Sequence, residues 1–147
     1  MTDSPVPQTI LVGAGVVGCA ILKAHLDAGV SVCLADQEAS SLESAVDAMR
    51  LSATSWQTES IRLPGTSLVA VRFVPRSNQS DSARQPIIIE SISEKLDVKQ
   101  AFFREAEDWL GAEALLCSNT STLRISDIAS ALTRPERFCG MHFFMPV

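Results

Sequence analysis

No cluster of basic residues occurs anywhere in this chain: its twelve Lys and Arg are scattered among seventeen Asp and Glu, for a formal net charge of -5 and a pI near 4.9. Binding to a phosphate backbone needs concentrated positive charge, so no nucleic-acid partner is expected. No long hydrophobic run is present either. The longest uncharged apolar stretch, Thr9 to Leu22, falls short of the roughly 20 residues of a membrane span and is broken by Gly13, Gly15 and Gly18. The residues before it contain Asp3 but no Lys or Arg, so the basic leader of an export signal is missing, and no membrane association is expected. Cys19, Cys33, Cys117 and Cys139 lie far apart in apolar surroundings, without the close spacing of metal sites or redox motifs. They are expected to be reduced core thiols of a cytoplasmic protein, with no bound metal. Internal repeats and low-complexity tracts are absent.

What is present is one domain's worth of chain. The 147 residues suffice to bury a core, and 46% hydrophobic with 20% charged residues is ordinary globular composition. Thr9 to Val12 reads as a strand, Val16 to Ala28 as a helix stopped by Gly29, and Val30 to Ala35 as a second strand closed by Asp36. A helix capped by Ser40 or Ser41 runs to about Met49. Residues 52–86 contain three prolines and a single strand-like run, Leu68 to Val74, with no clear helix. Beyond them come a strand at Ile87 to Ile89 and a helix from Asp97 to Leu110 that turns Phe102, Ala106, Trp109 and Leu110 inward. Ala114 to Cys117 is the next strand, Ile125 to Leu132 a short helix, and Phe138 to Phe144 a last strand. Alternating strands and helices predict an α/β, doubly wound, mainly parallel sheet over residues 1–147.

Between the first strand and helix stand Gly13, Ala14, Gly15, Val16, Val17 and Gly18. The context makes this a dinucleotide-binding fingerprint of the Rossmann type. One glycine permits the tight turn, the next lets backbone approach a pyrophosphate, and the third lets the helix pack closely on the strand. Asp36 follows Gly18 by 18 positions, where a carboxylate accepts hydrogen bonds from a ribose and repels a 2′-phosphate. No arginine adjoins it, which favours NAD over NADP, with FAD left open.

The polar turn Ser118 to Thr122 leaves a strand at the carboxyl edge of the sheet, where such folds bind ligands. His142, between Met141 and Phe143 near the end of the last strand, suits a general base in apolar surroundings. Taken singly, each has a plainer reading, as a helix cap or a satisfied strand residue.

Three stretches go further: residues 88–99, residues 118–123 and residues 137–147, the last reading Arg-Phe-Cys-Gly-Met-His-Phe-Phe-Met-Pro-Val. In order and spacing they resemble successive signatures of L-3-hydroxyacyl-CoA dehydrogenases. The resemblance implies an amino-terminal NAD-binding domain, with Gly13, Gly15, Gly18, Asp36, Glu94 and Lys99 at the cofactor. It places Ser121 between nicotinamide and substrate, and makes His142 the base that takes the 3-hydroxyl proton. It also implies elements expected beyond Val147: a glutamate that orients the histidine, and a helical domain for substrate and dimer. Two positions depart from the pattern. Met145 stands where the family has an asparagine beside the nicotinamide, and residues 52–86 hold no lysine where the family has a lysine-bearing helical hairpin for coenzyme A.

The expected function is NAD-dependent oxidation of 3-hydroxyacyl-CoA to 3-ketoacyl-CoA, in fatty-acid or butanoate metabolism. The partners are an acyl-CoA and either a second copy or a partner domain. Two other readings are a non-catalytic NAD-binding module, motivated by Met145, and a dehydrogenase of free 3-hydroxy acids, motivated by the missing hairpin.

Overall fold

Thr9–Val12 is buried at every position, as a central strand covered on both faces must be. It forms β1 of the computed structural model, which describes residues 8–50, 56–63, 66–75 and 85–147. The chain continues through α1 (Val16–Asp27), β2 (Val32–Asp36), α2 (Ala39–Arg50), β3 (Trp56–Arg62), β4 (Val69–Pro75) and β5 (Ile87–Glu90). It then forms α3 (Leu96–Leu110), β6 (Leu115–Ser118), α4 (Ile125–Ala129), a single 3-10 turn at Pro135–Arg137, and β7 (Phe138–Gly140).

The strands make one sheet in the order β3-β4-β2-β1-β5-β6-β7. Pairing is parallel from β2 through β7, while β4 runs antiparallel to both β2 and β3. Strand order reverses at β1, so a crevice opens between the carboxyl ends of β1 and β5. Alternation along each strand divides the core in two. Leu11, Leu34 and Ile89 pack under α1 and α2 with Ile21, Leu22 and Leu42, whereas Ile10, Cys33 and Ile88 pack on the other face with Phe103, Ala106 and Ile128. The α/β, doubly wound expectation holds.

Four details differ from it. β3 was not expected; as an edge strand, with Gln57, Thr58, Glu59 and Ser60 exposed, it needs no apolar face. With β4 it forms an antiparallel pair where the resemblance implies a helical hairpin. In α3 the wholly buried ring is Phe103, not Phe102, and it meets Phe138 edge-on at 4.8 Å between centroids. β7 ends at Gly140 because β6 ends at Ser118, leaving later residues no strand to pair with. The cysteines do not stay apart: Cys117 and Cys139 are register partners on β6 and β7 with sulfurs 3.5 Å from each other, and Cys139 is exposed. No helix among the described residues is long and apolar enough to cross a membrane.

Candidate functional site

The turn after β1 is built for backbone to come close. Gly13 has φ +107, and a Cβ on it would stand 2.5 Å from the Ser91 carbonyl oxygen. A Cβ on Gly18 would stand 1.8 Å from the Gly13 carbonyl oxygen. At Gly15 the opposite holds: nothing lies within 4 Å of where its Cβ would be. That space adjoins the amino terminus of α1, whose N-cap is Gly15 and which has no side-chain cap. Its first N–H groups are therefore open to an anion. Val16 is exposed and Val17 half-buried beside this space. Asp36 ends β2 with Oδ2 accepting the Ala14 N–H at 2.7 Å and Oδ1 accepting the Glu38 N–H at 2.9 Å. A carboxylate accepts about four hydrogen bonds, so acceptor positions remain for ribose hydroxyls. An open cradle, unspent helix N–H groups and a fixed carboxylate fit a dinucleotide.

Across the crevice, β5 ends in Glu90, which is completely buried. Its Oε1 accepts from Lys99 Nζ at 2.5 Å and from the Ile92 N–H at 2.6 Å, and its Oε2 accepts from Ser118 Oγ at 2.7 Å. Lys99 is itself buried, also donating to the Ile92 carbonyl at 3.3 Å and lying 3.4 Å from Glu94 Oε2. Sequence reasoning missed Glu90; its signal was an acid closing an otherwise apolar strand.

Glu94 faces the turn after β6. Its Oε1 accepts from Thr120 Oγ1, from the Ser121 and Thr122 N–H groups at 3.1 and 3.0 Å, and from Thr122 Oγ1 at 3.0 Å. Burial alone would raise this carboxyl, but those donors and the nearby Lys99 ammonium outweigh it and hold the group at about 2, against an ordinary 4.5. The turn is thereby fixed and the Ser121 side chain exposed. A depressed folded-state pKa contributes stability above the ordinary value and loses it as pH falls through the folded one. The Ser121 and Thr122 amides are therefore expected to lose hydrogen-exchange protection between about pH 4.5 and pH 2, and to lack it already at pH 7 in Glu94→Ala.

His142 lies just past β7, and both of its neighbours are anchored. The Met141 N–H donates to the Ser118 carbonyl at 2.8 Å, and the Phe143 N–H donates to Asn119 Oδ1 at 2.7 Å. Asn119 also donates to Ser91 Oγ at 3.2 Å, tying the segment to the loop after β5. The apolar surroundings expected for the imidazole are not there. His142 is exposed, because the chain has left the sheet and no layer covers it; its ring neighbour is Phe144, 4.4 Å away. Met145 is 52% exposed. Ser121 and His142 thus follow adjacent parallel strands at one edge, the first fixed by Glu94 and the second by Asn119. Asn119 was the other residue the sequence reading did not single out.

Residues 8–147 match the family model described as the NAD binding domain of 3-hydroxyacyl-CoA dehydrogenase. Among solved structures, 3-hydroxyacyl-CoA dehydrogenase from Archaeoglobus fulgidus is 27% identical with a TM-score of 0.66, the match covering 94% of this chain and 42% of that one. For 3-hydroxybutyryl-CoA dehydrogenase from Escherichia coli the values are 27%, 0.67, 97% and 30%. For (S)-3-hydroxybutyryl-CoA dehydrogenase from Ralstonia eutropha they are 25%, 0.68, 95% and 50%. The chain spans at most half the length of these three structures.

Proposed function

Since the chain belongs to the family of 3-hydroxyacyl-CoA dehydrogenase NAD-binding domains, we propose that it serves the NAD-dependent interconversion of a 3-hydroxyacyl-CoA and its 3-keto form, with His142 as acid and base. The supporting observation is the anchoring of His142: fixed on both sides at the edge that carries Ser121, its imidazole is presented while its backbone is held.

Gly13, Ala14, Gly15, Val16, Val17 and Gly18 form the pyrophosphate cradle, and Asp36 holds the adenosine ribose. Glu94 sets the turn against the nicotinamide end; Lys99, buried on Glu90, positions Glu94 from beneath. Bound NAD supplies the hydride acceptor for carbon 3. His142 takes the proton from the 3-hydroxyl as that oxygen becomes a carbonyl, and returns it in the reverse direction. Ser121 donates its hydroxyl hydrogen to the same oxygen, orienting the substrate. Exposed Met141, Phe144, Met145 and Val147 in the segment that carries His142 favour completion of the site by further protein, a helical unit or a second copy.

The β3–β4 pair supports a second substrate reading. It stands in place of a helical hairpin, and residues 52–86 offer no lysine to coenzyme A phosphates, which suits a free 3-hydroxy acid. The test is NADH oxidation with acetoacetyl-CoA and with acetoacetate, each beside His142→Ala. A rate that falls at least about 100-fold in the variant, the usual scale of general acid–base catalysis, is expected. The better substrate decides between the readings. NADH binding without turnover on either would replace both with a non-catalytic module.

A further inference from the structure

We propose that Cys117 and Cys139 are a redox modification site, closing to an intramolecular disulfide when a hydroperoxide oxidises them. The sulfurs lie 3.5 Å apart on residues in register across β6 and β7. Neighbouring strands run about 4.8 Å apart, within the roughly 4.4–6.8 Å between Cα atoms that a disulfide spans. The backbone already has the required separation.

The two thiols differ in access, and that sets the order of events. Cys139 is exposed, on a strand at the end of the sheet, whereas Cys117 is buried against the core. Burial, and then contact with Cys139, push the Cys117 thiol up to about 12, so Cys139 reacts first. Its thiolate sulfur attacks a peroxide oxygen; the O–O bond breaks, giving a sulfenic acid and a hydroxide that takes up a proton. The Cys117 sulfur then attacks the sulfenic sulfur, the S–O bond breaks, and the Cys117 proton leaves with the hydroxide as water. Two thiols lose two electrons, and hydrogen peroxide becomes two waters. The other cysteines stand apart: Cys33 is fully buried and also raised to about 12 by burial, while the Cys19 thiol donates to the Ala14 carbonyl at 3.3 Å. Closure fastens β7 to β6 one residue before Ser118 and three residues before His142, the segment already held by the Met141–Ser118 bond.

The experiment treats the folded chain with hydrogen peroxide, then unfolds it, alkylates the remaining thiols and maps the peptides by mass spectrometry. The expected result is a loss of about 2 Da, a Cys117–Cys139 linked peptide, Cys19 and Cys33 still alkylated, and full reversal by dithiothreitol. Cys139→Ser, a change at an exposed edge, should leave Cys117 alkylatable under the same treatment. Accumulation of Cys139 sulfinic acid with Cys117 still free, a crosslink only between chains, or four unchanged thiols would each overturn the proposal. The reading holds whether or not the chain turns over a substrate.

Discussion

Glu90→Ala is expected to cost about 3–5 kcal/mol of folding free energy, the scale for removing one partner of a buried ion pair. Glu90 is completely buried and Lys99 nearly so, and the carboxylate serves Lys99, Ser118 and the Ile92 N–H at once. Without it, an ammonium stays in the core with only the Ile92 carbonyl and a more distant Glu94 for compensation. Domains are typically stable by about 5–15 kcal/mol, so the variant should lose a large share of its stability in urea unfolding. The double variant Glu90→Gln/Lys99→Met tests the cause. It removes both charges at nearly constant volume and should be markedly more stable than Glu90→Ala, because no unpaired charge remains. A loss below about 1 kcal/mol for Glu90→Ala, the range of exposed pairs, would mean that water reaches Lys99.

NADH affinity is expected to respond differently to two alanines three positions apart. In Gly18→Ala the new Cβ would overlap the Gly13 carbonyl at 1.8 Å. Backbone must shift, α1 must move off the turn, and both stability and binding should fall, stability by roughly 1–3 kcal/mol as in other overpacked sites. Gly15→Ala meets no protein atom within 4 Å, and Gly15 has φ -74, which alanine adopts freely. Its methyl enters only the space assigned to the pyrophosphate. The melting temperature should therefore hold, while NADH binding, followed by fluorescence titration, weakens at least about tenfold, or about 1.4 kcal/mol. Unchanged affinity in Gly15→Ala would place the phosphates elsewhere.

The glycine turn was legible in the sequence because steric demands act on single residues: a position that must lack a Cβ can only be glycine. β1 and β5 were legible because burial on both faces leaves continuous apolar runs, and α1 because its apolar residues recur at helical spacing until Gly29. α3 was harder. Its buried residues are Lys99, Phe103, Ala106 and Glu107, so two charges interrupt the inward stripe, and hydrophobicity alone finds Phe102, Trp109 and Leu110, which pack half-buried against the core, while missing Phe103. Those charges are buried because they have partners: Lys99 has Glu90, nine positions before it, and Glu107 has partners far along the chain. Glu107 accepts from the Thr133 and Arg134 N–H groups at 2.9 and 2.8 Å. The same reasoning covers Glu90 and Asn119, whose roles lie in bonds to residues more than 20 positions distant. β3 was invisible because an edge strand with polar faces carries no periodic signal. His142 is singled out in the sequence through its neighbours, and its exposure is not, since exposure depends on where pairing stops.

Glu94 just before α3 and Glu107 near its end each suspend a separate loop, the first the turn bearing Ser121 and the second the link after α4. The two ends of α3 therefore each lie beside a carboxylate that holds a loop, and neither loop opens without breaking charge-assisted bonds, which are about twice as strong as neutral ones. Motion at Ser121 is therefore expected to be coupled to the first turn of α3, and relaxation dispersion at the Ser121 and Lys99 amides should report one common exchange process.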